Sequence, residues 1–246
     1  TLGMQSVRDQ ATTAEAKRNV NVVAAVNADI FNMSTGGTTG ALVMDGAAYN
    51  HHGNQNLANG RPYFAIMEDG TADIRETNES FDGVKEAVGL WEICVRDGKN
   101  VSSQSGSNYE IDGEPRTAIG IKADGSVVIL VDDGRQAPIS LGFSWPEIAD
   151  LMISMGCVEA GHLDGGGSTT LLSQHEGSSE LVLRNNPCNG AERNVSTALM
   201  VVSNQKESGS FDHAAVQSAV DSCTPGAQVQ FSVVGADSSG AWAQLP

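Results

Sequence analysis

The sequence predicts an α+β domain, strand-rich, with mixed or antiparallel sheets and a few packed helices. Three observations lead there. Short apolar runs of strand length recur along the chain, as at Val22–Val26, Tyr63–Met67 and Val127–Val131. Asp-Gly pairs punctuate such runs at Asp45-Gly46, Asp69-Gly70, Asp97-Gly98 and Asp124-Gly125, as hairpin turns do. Only two stretches carry a helical signature.

The first helix is the Ala- and charge-rich stretch Ala11–Arg18, and Asn21–Val26 follows as a buried strand. Asn27-Ala28-Asp29 closes that strand and leads into a Gly/Thr loop over Ser34–Gly40. Ala41–Met44, Tyr63–Met67 and Thr71–Arg75 read as strands, the last two joined at Asp69-Gly70. Thr117–Lys122 and Ser126–Asp132 form another hairpin through Asp124-Gly125. The second helix opens on Ser144-Trp145-Pro146-Glu147, a capping box with Pro in the first turn. Ile148, Leu151, Met152 and Met155 then share one face, and Gly156 supplies the stop. Val158–Leu163, Thr169–Leu172, Leu181–Leu183 and Ser196–Val202 complete the body as strands.

Composition narrows the function. The 246 residues hold 14 Lys and Arg against 30 Asp and Glu, a net charge of −16. A nucleic-acid binder needs a basic stripe, and so does a protein adsorbed on an anionic membrane. No apolar run is long enough to span a bilayer, and no signal peptide is visible. The chain reads as a soluble piece of a larger protein. Its low Lys content and acidity fit an extracellular or cell-surface, secreted bacterial protein. Residues 1–203 form the main domain; the polar stretch Asn204–Ser210 is a linker, and 204–246 begins a following β module with strands at Val229–Val234 and Ala241–Leu245.

Cys94, Cys157, Cys188 and Cys223 form no C-x-x-C pair, which disfavours a zinc or thioredoxin-type site. They allow buried free thiols or any of three disulfide pairings. N-x-[ST] sequons stand at Asn32, Asn78, Asn100 and Asn194. His51-His52 lies in a polar loop and reads as solvated.

Five segments carry possible chemistry. In His162-Leu163-Asp164-Gly165-Gly166-Gly167-Ser168-Thr169, a strand ends in a carboxylate followed by three glycines and two hydroxyls. Glycines let backbone N–H groups approach an anion, and Asp164 at the strand end is placed for acid–base work beside His162. Asp132-Asp133-Gly134-Arg135 follows an apolar strand, where neighbouring carboxylates can raise a pKa or hold a cation. Arg116 opens the strand Arg116–Gly120, and Arg193 precedes the last strand of the body. A guanidinium fork suits phosphate oxygens. Asn27 and Asp29 share a face at the end of the first strand.

Together these segments resemble the phosphodiester glycosidase family. The resemblance runs, in order, through Asn27–Phe31, Arg116–Gly120, Asp133–Gln136, Trp145–Ala149, His162–Thr170 and Arg193–Ser196, and spans Ala11 to Val202. Ala28 stands where the family usually has Gly, Ile30 where it has Phe, and His162 where it has Asn. Gly3–Asn32 is similar to bacterial members built into large surface proteins. The resemblance implies a hydrolase that cleaves a sugar-1-phosphodiester in a glycoconjugate or cell-envelope polysaccharide, without cofactor or metal. It implies Asp164 as base or nucleophile, Asp133 as second carboxylate, Arg116 and Arg193 on the phosphodiester, and Asn27 on a sugar hydroxyl or ordering the loop. Gly165, Gly166, Gly167, Ser168, Thr169, Arg135, Asp29 and His162 would line the substrate. The alternatives are a non-catalytic carbohydrate- or phosphate-binding module, and a metal-dependent phosphodiesterase ligated by Asp132, Asp133 and Asp164. The charge of −16 excludes polyanion binding by the surface, but not one phosphodiester held in a small cationic pocket.

Overall fold

The computed structural model describes residues 3–50, 58–76, 80–103, 113–218, 220 and 223–246. His51, His52 and the sequon at Asn78 lie outside the described residues. In chain order the elements are α1 (Val7–Arg18), β1 (Asn21–Asn27), β2 (Leu42–Met44), β3 (Ala47–Ala48), β4 (Tyr63–Met67), β5 (Ala72–Arg75), β6 (Val84–Gly89), β7 (Ile93–Arg96) and β8 (Lys99–Asn100). Then come β9 (Arg116–Lys122), β10 (Val127–Asp132), α2 (Trp145–Ser154), β11 (Cys157–His162), β12 (Leu171–Gln174), β13 (Leu181–Leu183), β14 (Ala198–Ser203), β15 (His213–Ser218), β16 (Phe231–Ala236) and β17 (Trp242–Ala243).

The strands form four sheets, ordered β13-β12-β1-β14, β10-β9-β11-β7-β8, β3-β2-β6-β4-β5 and β15-β16-β17. Every strand pair among the described residues is antiparallel. The α+β expectation therefore holds. Two turn chemistries make the hairpins. Asp45-Gly46 and Asp97-Gly98 both take positive φ at both residues, the two-residue mirror-image turn whose twist matches the strands. At Asp69-Gly70 and Asp124-Gly125 only the glycine is left-handed, and it closes a longer loop.

The two five-stranded sheets pack face to face. Phe64, Ile74 and Val88 from one meet Ile119 and Ile121 from the other, with Leu90 and Leu163 between them. The alternation along β9 turns Ala118 to the opposite side, where α2 lays Ile148, Ala149 and Met152 against Cys94, Cys157 and Ala160. The four-stranded sheet is covered by α1 through Val7, Ala11, Val22 and Leu172. All four cysteines are free thiols, and Cys94 and Cys157 are buried in the α2 core. Of the open readings, free thiols is the one realised.

Differences from the sequence reading are local. The first helix begins one turn earlier than Ala11, because the Ser6 hydroxyl accepts from the Asp9 N–H and caps it. Strands β6 and β7 were not expected, although β7 runs straight into the turn at Asp97-Gly98. In the tail, the strand β15 was not expected beside the two that were; it follows the polar stretch Asn204–Ser210 and pairs along its whole length with β16. Asp237 organises this small sheet. Its carboxylate accepts from the N–H groups of Ser208, Ser239 and Ala241 and from the Ser239 hydroxyl, which holds its pKa well below the usual carboxylate range. The sheet touches the body at the turn after β12, where the Gly177 N–H donates to the Gly240 carbonyl at 2.9 Å. No helix among the described residues is long and apolar enough to cross a membrane.

Candidate functional site

The site forms where the four-stranded sheet meets the edge of the β9–β11 sheet. Beyond β11 the chain bonds to both. Leu163 N–H donates to Thr117 O at 2.9 Å, and Asp164 N–H donates to Ala28 O at 2.9 Å. Asn27 locks this junction. Its Nδ2 donates to the Asp164 carbonyl at 2.6 Å, and its Oδ1 accepts from Thr117 Oγ1 and from the Thr170 N–H, both at 3.0 Å. It is fully buried. The expected catalytic contact of Asn27 with sugar is therefore corrected: its amide is consumed in positioning Asp164, the loop-ordering role also open to it.

A cleft of about 360 Å³ opens beside the junction. Arg116, Arg135, Arg193, Asp164 and the Gly165–Gly167 run line it, together with Glu114, Trp91 and Trp145. Sequence reasoning brought the first group together from segments up to 77 residues apart, Arg116 to Arg193.

Asp164 is one of two carboxylates lining the cleft. Burial raises its pKa from 3.8 to about 6, against the opposing effects of the Ser168 hydroxyl, the Gly165 N–H and the Arg193 charge. Ser168 is buried beneath it, and its Oγ also accepts from Arg193 Nη1 at 3.4 Å. Gly167 gives Arg193 its place, because a Cβ there would overlap the Arg193 guanidinium and the Asn189 amide. Arg193 makes no ion pair among the described residues, so its charge is directed at the cleft. The three glycine amides are not equivalent. Gly166 N–H is committed to the Pro115 carbonyl at 2.8 Å and is not a substrate donor as expected.

Arg116 is buried, and that burial lowers its pKa to about 10, which leaves it cationic at neutral pH. Its Nε donates to the Phe143 carbonyl at 3.0 Å, and its guanidinium carbon lies 5.6 Å from the Trp145 ring. Asp132 stands opposite Arg116 in the β9–β10 register, and burial pushes it up to about 7. Arg135, in a left-handed conformation, pairs with Glu114, whose carboxylate is the second one in the cleft.

Several expected substrate contacts lie one layer back. Asp133 does not line the cleft: its carboxylate accepts two bonds from the Asn186 N–H, at 2.9 and 3.0 Å, and one from Asn185 Nδ2 at 3.2 Å. It fastens the 185–186 loop, whose Asn185 also reaches the Thr169 carbonyl at 3.1 Å. Thr169 itself is buried. Asp29 is buried against Gly40, whose N–H it accepts at 2.7 Å, and desolvation lifts its pKa to about 7. Its charge and that of Asp164 oppose each other. His162 is buried and stacked on Trp145 at 5.0 Å. Burial holds its pKa near 3, so it is a neutral support under the indole rather than a substrate ligand. Among the described residues, no group of three or more His, Cys, Asp or Glu side chains converges as a metal ion would need.

The two indoles were missed as site residues. In the sequence Trp145 marks the helix start and a segment of the family resemblance, and the capping box that fixes it there is real, with Ser144 N–H donating to Glu147 Oε2 at 2.8 Å. Trp91, at the turn after β6, meets Trp145 edge-on at 6.0 Å. A lone Trp at a turn was the available signal.

A family model described as phosphodiester glycosidase matches residues 20–202, which contain every one of these cleft residues. The chain belongs to the phosphodiester glycosidase family. That membership relates it to hydrolases of the glycosidase type. A prophage-derived protein of Bacillus subtilis strain 168, YomE, is 32% identical over 163 residues, 63% of this chain and 24% of YomE. The chain thus spans about a quarter of the length of that curated relative. Among solved structures, the catalytic domain of zebrafish N-acetylglucosamine-1-phosphodiester alpha-N-acetylglucosaminidase, auto-inhibited by its pro-peptide, superposes with a TM-score of 0.63 at 19% identity, over 82% of this chain and 68% of that one. A hypothetical protein from Synechocystis superposes with a TM-score of 0.53 at 16% identity, over 80% and 53%. Both share the phosphodiester glycosidase fold.

Proposed function

We propose that this chain hydrolyses the glycosyl–phosphate bond of a sugar-1-phosphodiester in a glycoconjugate or cell-envelope polysaccharide. One observation carries the reading: a single poised carboxylate, Asp164, shares a cleft with Arg116, Arg135, Arg193 and a two-indole wall. The sugar stacks on the indoles, and the phosphate oxygens take the guanidinium forks. The bond between the anomeric carbon and the phosphate oxygen breaks, and the electron pair leaves with the phosphate. The anomeric carbon, now oxocarbenium-like, receives a water oxygen, and Asp164 takes the proton or first adds covalently. The phosphate is a good leaving group, so the arginines replace most of what a general acid does in ordinary glycosidases.

The test is release of p-nitrophenyl phosphate from p-nitrophenyl esters of sugar 1-phosphates, over a panel of single sugars, read as p-nitrophenol after added phosphatase; p-nitrophenol formed without the phosphatase would mean cleavage at phosphorus and overturn the glycosidase reading. Absence of turnover across the panel, with binding by calorimetry, would favour the non-catalytic binding module instead. Arg193→Ala should lower kcat/KM for phosphodiesters by about 10²-fold or more, the scale of losing one preorganised donor. Binding of neutral glycosides should barely change; an equal loss for both would make Arg193 structural. The working carboxylate must be ionised, and its folded pKa is about 6. Therefore kcat/KM should rise about tenfold per pH unit below 6 and level off above it. A profile flat from pH 4 to 7 would exclude Asp164 as the base.

The same reading places the chain at the cell surface as part of a larger secreted protein. In support, the family match ends at 202 and β15–β17 form a sheet of their own beyond it, as the start of a following β module would.

A further inference from the structure

The reactive cleft does not end at Trp91. The same indole walls a second hollow of about 460 Å³, within the range of small-molecule sites, together with Glu76, Glu92, Arg96 and Val101. Trp91 is held from two sides. The Arg61 guanidinium lies 4.0 Å over its ring, and Trp145 meets it edge-on, yet Trp91 stays 38% exposed. A fixed, partly bare indole shared by two hollows is a stacking platform at their junction.

The two hollows differ in charge. In the cleft, Arg193 lines the wall with no ion pair among the described residues. In the second hollow the cation is already matched: Arg96 donates to Glu159 at 2.5 Å and to Glu76 at 3.0 Å. Glu92 accepts from the Ser103 N–H at 3.2 Å. A hollow with two carboxylates on its wall and its arginine neutralised repels anions and offers polar edges around an apolar floor. That combination fits a neutral polyol. Trp91, which touches Trp145 and Arg61, also lies apart from the Arg135 and Arg193 guanidinium groups, which lie against Gly166 and Gly167.

We propose that this hollow is a second sugar subsite, which takes the neighbouring neutral residue of a glycan whose terminal sugar 1-phosphate occupies the cleft. The natural substrate is then an oligosaccharide or polysaccharide phosphodiester rather than a single-sugar one. The proposal rests on the hydrolytic reading above, and its test separates the two.

The probes are the p-nitrophenyl phosphodiester of whichever single sugar the panel shows to be hydrolysed, and the same ester of a neutral trisaccharide ending in that sugar. The wild type should turn over the trisaccharide ester with kcat/KM at least tenfold higher, mainly through KM. Val101 is 51% exposed and outside the cleft, so Val101→Trp fills the hollow without touching the reacting groups. It should abolish the trisaccharide advantage and leave the single-sugar rate unchanged, while Val101→Ala keeps the advantage. Equal kcat/KM for the two wild-type substrates would overturn the subsite, as would a Val101→Trp loss common to both. Should no ester be hydrolysed, the hydrolytic reading fails on its own. The subsite is then read by tryptophan-fluorescence titration with the neutral trisaccharides: binding that Val101→Trp removes supports it, and no binding overturns it.

Discussion

Asp164→Asn is expected to lower kcat by about 10³-fold or more without unfolding the domain, because general-base or nucleophilic work has no substitute in an amide. The stability side of the same substitution has a definite sign. The folded pKa of Asp164 is about 6 against 3.8 for an ordinary Asp, so between those values the folded state holds the proton more tightly than the unfolded one. Its contribution to stability is therefore full below about 3.8 and declines as pH rises to about 6. Asn cannot ionise and loses nothing over that range. The variant should match the wild type near pH 4 and be the more stable of the two at pH 7, by urea unfolding. An inactive variant that is also less stable at pH 7 would mean that Asp164 holds the fold, not the chemistry. Retained turnover would remove Asp164 from the mechanism altogether.

Asn27→Ala is expected to destabilise the protein by roughly 3 kcal/mol, since it strips a buried hub of three hydrogen bonds and leaves partners from three segments unsatisfied. Turnover should fall as well, about tenfold or more, because the backbone of Asp164 loses its anchor. The two effects belong together. Denaturant melts and kcat measured on one preparation decide the matter. A large loss of kcat with unchanged stability would return Asn27 to direct contact with substrate.

Much of the cleft was legible because its chemistry is encoded contiguously. The Asp-Gly-Gly-Gly-Ser run fixes a carboxylate, a turn and a buried hydroxyl within five residues, and backbone geometry alone keeps them together. Arg116 and Arg193 were legible as isolated cations at strand ends in an acidic chain. The four Asp-Gly hairpins and the capping box at Ser144 were legible because turn and cap preferences are local. What misled was side-chain direction at the end of a strand. His162 and Asp133 carry plausible chemistry, but the first is stacked under Trp145 and the second is spent on the Asn186 amide.

By itself the sequence determined the α+β class, the hairpins, the second helix and the family, and it named Asp164, Arg116, Arg135 and Arg193 as charged candidates. Each of these is written in near-neighbour residues or in a linear order of motifs. Only the tertiary structure decided which polar groups face the cleft and which brace it, and that Glu114 rather than Asp133 is the second carboxylate there. It also brought Trp91 beside Trp145, across 54 residues of chain, 91 to 145, and opened the second hollow behind them. The reason is physical. Burial, pKa and exposure depend on what packs against a side chain from distant segments, and no local pattern specifies that partner.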